Sequence, residues 1–405
     1  MNELLIGIDW SQAHYDVTIL ATNGAILTQF QIAKSTNGFQ QLAEKIDKFD
    51  VPSSQCLIGL ETAHNILIDF LWSKRYSVYV VAPSIVNSSR GRFGNSGAHT
   101  DKTDARLIAD LLRTDRPRFA PWRPDSELLT KLKTKLSLID TLTQMKVQQT
   151  NRLRAILLRV YPQVLHAFEK LGKLISLHFL MAYPAPQALV DLTYADFAAF
   201  CRQHRCGRPD WTTKWYRRLQ RPQPQANLVL AQAYGDQISF LAQLLLPQVR
   251  RKRQATQEVQ DLFEQHPDQA IFASLPGAGP LLQPKLLLMF GEDRDRFPSP
   301  QDIRALAGTC PVTRQSGKTR RVTFRRACNH DFRATAQQFA VASVKQADWA
   351  ATYYQAALAR GLRKNHAYRC LANRWLGIIW KLWQTRQPYD EAYHLKQLHT
   401  HRRLN

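Results

Sequence analysis

Four acidic residues in the first 104 positions are spaced as the metal ligands of a nuclease would be. Asp9 and Glu61 each follow a short apolar run, LLIGI and CLIGL, and Asp101 and Asp104 lie three residues apart at a predicted helix start. Residues i and i+3 share one face of a helix. Carboxylates gathered at one point repel each other unless cations lie between them, and such hard oxygen ligands suit Mg²⁺ or Mn²⁺. The spacing predicts that Asp9, Glu61, Asp101 and Asp104 hold two ions that clamp a phosphodiester.

Each of these acids also has a purely structural interpretation. An aspartate after a strand is commonly a turn residue, and two aspartates in a first helical turn stabilise the helix dipole. The joint pattern favours the metal site, because all four acids fall within one predicted domain of alternating strands and helices. No single acid would support that prediction alone.

A basic segment far downstream carries one serine, Ser316, directly before a glycine. Residues 313–326 read TRQSGKTRRVTFRR, with six Lys or Arg and no acid. One interpretation is a hydroxyl nucleophile held at a DNA phosphate by these cations. The other is a phosphate-binding loop whose serine only donates a hydrogen bond. The residues alone favour the loop, because no histidine lies within this segment to act as a general base. The basic residues in question are Arg314, Lys318, Arg320, Arg321, Arg325 and Arg326.

The elements that would position the acids follow from hydrophobic patterning. Asn23-Gly24 is a strong signal for a hairpin turn between two of the strands. The stretch 84–99 is rich in Gly, Ser, Asn and Arg and is predicted as a loop. Strands followed by alternating helices and strands predict an α/β domain with a mixed sheet. Strands are predicted at 3–9, 15–22, 25–32, 56–60 and 77–82, and helices at 36–49, 65–74 and 101–113.

Helices are predicted to dominate the rest of the chain. Long amphipathic helices at 126–160 and 226–264, the second with a kink at Pro247, are expected to form an antiparallel coiled coil, an oligomer contact or an ordinary bundle. Between them lies the basic segment 163–224, whose Trp211 and Trp215 are candidates for stacking on RNA bases.

Further along, the residues FASLPGAGP at 272–280 predict a helix–turn–helix hairpin. Its Gly277 and Gly279 would let backbone amides approach a phosphate. A helix is predicted from Ser299, a basic loop or hairpin at 310–328, and mostly helices at 331–383. The polar residues 384–405 are predicted as a frayed tail.

Composition narrows the class of partner. The net charge of +23 and the pI near 10.0 indicate a polyanionic partner, and nucleic acid is the leading one because phosphate neutralisation releases counterions. No run of about 20 apolar residues predicts a membrane span, and MNELLIGIDW lacks the basic start of a signal peptide. Six cysteines without a disulfide framework fit a reducing cytoplasm, so a cytoplasmic, nucleoid-associated protein with no membrane partner is expected.

Several blocks of sequence resemble the DEDD transposases, insertion-sequence recombinases related to the pilin-gene invertases. IGIDW at 6–10, GLETA at 59–63 and HTDKTDARLIADLL at 99–112 are similar to the three acidic blocks of that family. LPGAGP at 275–280 and FPSPQDIRALAGTCPVTRQSGKTRRV at 297–322 are similar to its later block. The resemblance covers about residues 1–160 and 270–385.

The resemblance implies a fold of α/β plus α class in four parts. The first is an RNase H-like (RuvC-like) mixed-sheet domain at 1–120 that carries the four metal-binding acids. A long helical coiled-coil linker follows at 121–268 and includes the basic insertion 163–224. A mainly helical C-terminal transposase domain at 269–385 carries Ser316, and a basic tail occupies 386–405.

The resemblance also implies a chemistry and a set of partners. Ser316 would attack a DNA phosphate and form a covalent 5′-phosphoserine link, with Mg²⁺ assisting at the acids. Gly277, Gly279 and the six basic residues around Ser316 would bind nucleic acid. The partners would be donor and target DNA, a structured bridge RNA that guides both, and further copies of the chain in dimers and tetramers.

Three rival hypotheses stay open at the level of sequence. The first is a metal-only RuvC-like nuclease or resolvase in which Ser316 is structural. The second is a DNA invertase of the same family. The third is a basic RNA-binding protein with an idle acidic site, which the presence of all four acids and the serine argues against.

Overall fold

A computed structural model describes residues 3–63, 65–93, 100–222 and 226–403. The chain divides into two compact units, Met1–Pro124 and Asp125–Asn405. None of the helices in these described ranges is both long enough and apolar enough to cross a membrane.

The first unit is built on a five-stranded mixed sheet. Its strands are β1 Leu4–Trp10, β2 His14–Leu20, β3 Ile26–Ala33, β4 Cys56–Leu60 and β5 Ser77–Val80. Their order across the sheet is β3-β2-β1-β4-β5. The pairs β1–β2 and β2–β3 are antiparallel, whereas β1–β4 and β4–β5 are parallel. The predicted mixed α/β sheet is confirmed, including the turn at Asn23-Gly24 between β2 and β3.

Helices cover both faces of this sheet. They are α1 Thr36–Asp47, α2 Ile66–Ser73, α3 Pro83–Ser89 and α4 Asp101–Asp115. Because side chains alternate along a strand, Leu4, Ile6 and Ile8 of β1 pack in one apolar core with α1 and α2. Leu5 points the other way, into a second core with α4. Asp9 has the same parity as Leu5 and therefore lies on the face that α4 covers.

A glycine lets α4 pack directly on the middle of the sheet. A Cβ added to Gly7 of β1 would lie 1.9 Å from the carbonyl oxygen of Ala105 and 2.6 Å from the backbone nitrogen of Ala109. Any side chain at this position would push the helix away from the strand. The close approach sets the distance between the first turn of α4 and the carboxyl end of β1.

The prediction of a loop at 84–99 is wrong for its first part. Helix α3 begins at Pro83, a residue well suited to a first helical turn, and a 3-10 turn follows at Arg90–Phe93. The buried Val86 anchors α3 to the core that contains α4. The polar residues Ser84, Asn87 and Ser88 lie on the exposed side of α3. Residues 94–99, including His99, lie outside the described residues.

Two long helices run through the second unit. They and the helices between them are α5 Glu127–Val160, α6 Pro162–Ala167, α7 Leu174–Ala182, α8 Tyr194–Gln203, α9 Pro209–Leu219 and α10 Leu228–Glu264. Lys135 pairs with Glu258 near the start of α5, and the Arg159 guanidinium donates to the Tyr234 hydroxyl near its end. These contacts confirm the antiparallel pairing, and α10 continues through Pro247 as a single helix.

The segment predicted as a basic insertion folds as a small helical subdomain. Helices α6 to α9 enclose a core around Phe179 and Phe197, and both side chains are fully buried. Ile238 and Leu245 of α10 belong to the same core. The many basic residues of this segment therefore decorate a packed structure with its own apolar centre.

The remainder of the second unit is a helical bundle with one β-hairpin. Its elements are α11 Gln269–Ala273, α12 Leu282–Phe290, α13 Pro300–Leu306, β6 Val312–Ser316, β7 Thr319–Thr323, α14 His330–Ser343, α15 Asp348–Ala359, α16 Lys364–Thr385 and α17 Glu391–Arg403. The predicted helix–turn–helix at 272–280 is confirmed, as is the predicted helix after Ser299, whose side chain forms a capping box with Asp302. Between the two interpretations of 310–328, the structure has the hairpin.

The prediction of a frayed tail at 384–405 is wrong for most of that stretch. The helix α17 occupies Glu391–Arg403, and the chain before it docks on the bundle. The Trp349 indole nitrogen donates to the Tyr389 hydroxyl at 2.8 Å, and the Tyr389 backbone N–H donates to the Ser274 hydroxyl at 2.7 Å. The polar composition of the segment gave no indication of these few anchoring contacts.

Gly277 and Gly279, both predicted to approach phosphate, differ in what surrounds them. Gly277 has φ +79°, and a Cβ there would lie 2.7 Å from the Ala342 carbonyl oxygen of α14. In the described part of the chain, no atom lies within 4 Å of a Cβ added to Gly279. Gly277 is therefore required for packing and backbone conformation, while Gly279 remains open to a ligand.

Substitution of Gly277 by alanine is expected to lower the free energy of unfolding of the second unit by about 2–4 kcal/mol. The added methyl group combines a strained left-handed backbone with a clash against α14. Gly279→Ala is the matched control and should change stability by less than about 0.5 kcal/mol. Urea unfolding followed by circular dichroism measures both, and equal effects of the two substitutions would contradict this assignment.

Candidate active site

The structure brings the four predicted acids to one edge of the sheet. Asp9 lies near the end of β1, and Glu61 directly follows the neighbouring parallel strand β4, with Ile8 opposite Leu60. Asp101 and Asp104 occupy the first turn of α4. Thr100 caps that helix through a reciprocal pair of hydrogen bonds with Thr103, which fixes where the turn begins.

The electrostatics of Asp9 show how crowded this edge is. Its side chain is only 8% exposed, and burial raises its pKa to about 7. A backbone hydrogen bond from Trp10 opposes that shift, whereas the charges of Glu61, Asp104 and Asp101 add to it. Burial also raises the pKa of Glu61, with Asp104 contributing and Arg90 opposing. Negative charge is thus concentrated where a cation would relieve it.

Two residues that sequence reasoning missed complete the acidic edge. Asp16 of β2 lies directly opposite Asp9 in the antiparallel register, so both side chains point toward α4. Potential ligand atoms of His14, Asp16 and Asp101 all lie within 4.8 Å of one another. The available signal was the short connection between the first two predicted strands, which places Asp16 across from Asp9.

Asp16 carries an oxygen that needs a partner. The side chain is 2% exposed, and its Oδ1 accepts a hydrogen bond from the Gln31 amide at 3.1 Å. His14 Nε2 lies 3.1 Å from Oδ2, yet the orientation is not that of a hydrogen bond, and Oδ2 has no hydrogen-bond partner among the described residues. A buried carboxylate oxygen without a partner is costly and is a natural ligand for a cation.

One of the four acids, Asp104, forms an ion pair with an arginine in this structure. Arg90 donates to both oxygens of Asp104, at 2.7 Å from Nη2 and 3.3 Å from Nε. This bidentate geometry is the strongest form of such a pair. A metal ion that used Asp104 would compete with Arg90 for the carboxylate. Sequence reasoning missed Arg90 because its segment was predicted as a loop.

The donor set as a whole fits a divalent metal ion. It consists of carboxylates with one imidazole, it contains an unpartnered buried oxygen, and burial and like charges raise the pKa of Asp9. Oxygen-rich sites of this kind suit hard divalent cations.

An aromatic side chain borders the acidic edge. A cavity of about 200 Å³ is lined by Trp10, Tyr15, Glu61 and Asn65, among others. Trp10 directly follows Asp9 and is 56% exposed, and the Lys34 ammonium lies 4.2 Å from the centre of its ring. An exposed indole and a cation beside the acids suit the base and phosphate of a nucleotide.

The serine predicted as a nucleophile lies at the tip of the β6–β7 hairpin. Ser316 is exposed and pairs with Thr319 across a two-residue turn, in which Gly317 has φ +55°. Arg314, Lys318, Arg320, Arg321 and Arg326 are exposed, while Arg325 is half-buried. The hairpin base is held by Phe324, over which the guanidiniums of Arg333 and Arg369 lie at 4.5 and 4.6 Å.

The hairpin therefore presents a hydroxyl group among exposed cations on a short, anchored ribbon. Such an arrangement fits the approach of a phosphodiester, whose negative charge the guanidiniums would neutralise. The acids belong to the first unit of the chain and Ser316 to the second. The sequence predicted all five residues as site residues and left a loop or a hairpin open for the segment that carries the serine, and the structure has the hairpin.

Comparison with known protein families identifies the class of protein. A family model for IS110-type DEDD transposases matches residues 6–162. A second model, for transposases of the IS116/IS110/IS902 family, matches residues 269–355. The chain belongs to this transposase family. The matched ranges contain all four acids and Ser316, and transposases are enzymes that cut and rejoin DNA.

Similarity to individual transposase-family proteins extends over nearly the whole chain. The protein named "Mini-circle putative transposase for IS117" from Streptomyces coelicolor is 29% identical over 394 residues, 95% of each chain. An uncharacterised protein of insertion element IS116 from Streptomyces clavuligerus is 24% identical over 397 residues, 96% of this chain and 97% of the relative. An uncharacterised protein of insertion element IS900 from Mycobacterium paratuberculosis is 26% identical over 336 residues, 81% of this chain and 82% of the relative.

Replacing Asp9 by asparagine is expected to stabilise this transposase when no metal is bound. The folded protein holds the Asp9 proton more tightly than the unfolded chain, so stability falls as the pH rises from about 4 to about 7. Asp9→Asn removes that loss and should raise the free energy of unfolding at pH 8 by about 1–2 kcal/mol, after discounting for solvent screening.

Urea unfolding in EDTA at pH 5 and pH 8 measures this effect. The gain from Asp9→Asn should be larger at pH 8 than at pH 5. Asp69→Asn, which changes an exposed carboxylate of α2 in the same unit, is the control and should show no such difference. A gain in the free energy of unfolding that is the same at both pH values would contradict a raised pKa at Asp9.

Proposed function

We propose that this transposase-family protein mobilises an insertion sequence through a serine–DNA covalent intermediate, with Mg²⁺-assisted chemistry at the acidic edge of an RNase H-like (RuvC-like) sheet. The observation that carries the proposal is the convergence of Asp9, Glu61, Asp101 and Asp104 at the ends of β1, β4 and the start of α4. The family matches add that the chain is a transposase and that Ser316 lies within the second matched range.

The acids would hold the metal. Asp9, Glu61, Asp101 and Asp104 are the proposed ligands, and Asp16 and His14 lie close enough to join them. A bound Mg²⁺ or Mn²⁺ would polarise the phosphate and stabilise the leaving oxygen. Arg90 would have to release Asp104, and its freed guanidinium would then be available to a DNA phosphate.

Ser316 would carry out the covalent step. Its Oγ attacks the phosphorus of a phosphodiester, the P–O3′ bond breaks, and the serine proton is lost to solvent while the 3′ oxygen gains a proton. The products are a 5′-phosphoserine link and a free 3′ hydroxyl, so the energy of the phosphodiester is kept for rejoining. Arg314, Lys318, Arg320 and Arg321 would stabilise the charge that develops on the phosphate.

The proposed partners follow from the charge and from the resemblance. The net charge of +23 suits extended contact with phosphate backbones. A structured bridge RNA would pair with donor and target DNA, so that base pairing reads the sequence and the protein binds backbone and shape. Dimers and tetramers would allow the acids of one copy to act with the serine of another.

A metal-only nuclease or resolvase is the second candidate. It is favoured by the exposure of Ser316 and by the lack of a histidine or acid in residues 313–326 that would act as its base. In that case the acids alone would activate water, and cleavage would leave no protein on the DNA. A DNA invertase of the same family would use the same chemistry on a different arrangement of sites.

Recombination between two supercoiled plasmids tests the proposed function. One plasmid carries the ends of the element, the other its target, and the purified protein is supplied with Mg²⁺ and the RNA that copurifies with it. Joined products that require both the ion and the RNA would support the proposal. Joining that is unaffected by ribonuclease would contradict the role of a guide RNA. Joining that persists in EDTA would contradict the role of a metal ion.

A further inference from the structure

The helical subdomain formed by α6 to α9 contains a cavity that the proposed chemistry does not use. Its volume is about 180 Å³, and it belongs entirely to the second unit. Aromatic and basic side chains dominate its wall. The lining residues on which the inference rests are Phe168, Lys170, Lys173, Trp211, Lys214 and Trp215.

Two indoles give this cavity a preformed aromatic wall. Trp215 packs on Phe168, with ring centres 5.3 Å apart, and Phe168 is itself buried in the subdomain core. Trp211 lies one helical turn earlier on α9, with its ring centre 5.8 Å from that of Trp215 and half of its surface exposed. The buried core thus holds Trp215 in place, and Trp215 in turn supports an exposed ring.

Cations surround the two indoles. Lys170, Lys173 and Lys214 are exposed, and within the described residues none of the three forms an ion pair. The carboxylate that lines the cavity, Glu169, is neutralised by Arg218 at 3.2 Å. The cavity therefore has a net positive charge that the described carboxylates do not neutralise.

Trp211 presents half of its surface beside three lysines that form no ion pair within the described residues. A core role explains Trp215 but not Trp211, whose ring would be as well replaced by a polar side chain. Bases stack on aromatic side chains regardless of their identity, and lysines bind the flanking phosphates. In a duplex both faces of each base are occupied, so this combination favours an unpaired base.

We infer that this cavity binds a single-stranded segment of nucleic acid, with one unpaired base stacked on Trp211 and its phosphates at Lys170, Lys173 and Lys214. None of the four acids lines this cavity, and neither does Ser316, so the inference does not depend on the proposed cleavage chemistry. RNA and DNA share the stacking and phosphate chemistry, and the test distinguishes between them.

Photo-crosslinking of the full-length protein locates the contact. Single-stranded RNA and DNA oligonucleotides of one sequence, each carrying 5-iodouracil, are irradiated with the protein, and the crosslinked peptides are identified by mass spectrometry. We expect a crosslink on the peptide that contains Trp211 and Trp215, stronger with whichever nucleic acid is the natural ligand. Crosslinks found elsewhere but not on this peptide would overturn the inference.

Substitutions at the exposed indole test the stacking itself. Trp211→Ala should reduce the yield of that crosslink roughly 5- to 100-fold at subsaturating oligonucleotide, as expected for loss of one stacked base. Trp211→Phe should retain most of it, whereas Trp211→Leu, which is apolar but not aromatic, should not. Trp72→Ala, a half-exposed tryptophan of the first unit, is the control and should leave this crosslink unchanged.

The cation contribution has its own readout. Lys170→Ala combined with Lys214→Ala should weaken the crosslink and reduce its dependence on salt concentration, because two phosphate contacts are removed. A competitor oligonucleotide that has an abasic site beside the position of the iodouracil should bind the wild-type protein less well than the intact oligonucleotide does. The two competitors should bind equally well only to the Trp211→Ala variant. Equal competition against the wild type would show that phosphate contacts alone account for binding.

Discussion

Replacing Ser316 by alanine is expected to abolish recombination and to remove the covalent protein–DNA product, with a loss of activity of roughly 10³-fold or more. The substitution deletes the hydroxyl that attacks the phosphate and changes nothing else at the hairpin tip, where Ser316 is exposed. Binding of DNA should stay close to the wild-type level, because the surrounding cations are retained. Recombination products and denaturing-gel adducts measure the two effects.

Thr319 provides the matched control for Ser316. It lies directly opposite in the hairpin register and carries a hydroxyl on the same short ribbon. Thr319→Ala should keep most of the activity and all of the adduct. If Ser316→Ala cut DNA as fast as the wild type, the metal-only nuclease would be the better account, and the serine would serve only to bind phosphate.

Replacing Asp104 by asparagine is expected to reduce DNA cleavage by roughly 10²- to 10⁴-fold, corresponding to several kcal/mol of transition-state stabilisation. The carboxylate contributes one charge to the metal site, and the amide is a far weaker ligand. The change should also weaken metal binding, which isothermal titration with Mg²⁺ or Mn²⁺ measures independently of cleavage. Folding should be retained, because asparagine still accepts hydrogen bonds from Arg90.

Glu44→Gln is the control for this prediction, since it removes an exposed carboxylate of α1 in the same unit. It should leave both metal binding and cleavage unchanged. Full cleavage by Asp104→Asn, with metal affinity unaltered, would contradict the assignment of Asp104 as a ligand and would leave its pairing with Arg90 as a structural contact.

The four acids could be proposed from the sequence because each lies at or near the end of a predicted element. Asp9 and Glu61 close apolar runs, and Asp101 and Asp104 open an amphipathic helix. Strand order then brought them together as predicted. Asp16 was missed because its role depends on the pairing register of β1 and β2, which the pattern of a single strand does not specify.

The two segments whose secondary structure was wrongly predicted share a physical cause. In each, a few tertiary contacts order the backbone. The helix α3 was predicted as a loop because its residues are mostly polar, although Pro83 suits its first turn and the buried Val86 packs it on the core. The segment after Thr385 was predicted as frayed, although Tyr389 and His394 dock it on Trp349 of the bundle. Composition averages over such residues, whereas tertiary packing depends on them.

The measurement that tests the central claim most directly is the chemical identity of the protein–DNA link. A reaction is stopped by denaturation, the DNA and protein are digested, and the remaining modified peptide is sequenced by mass spectrometry. We expect a nucleotide joined through its 5′ phosphate to Ser316. Cleaved DNA with free 5′ ends and no modified peptide, or a nucleotide attached to a different residue, would contradict it.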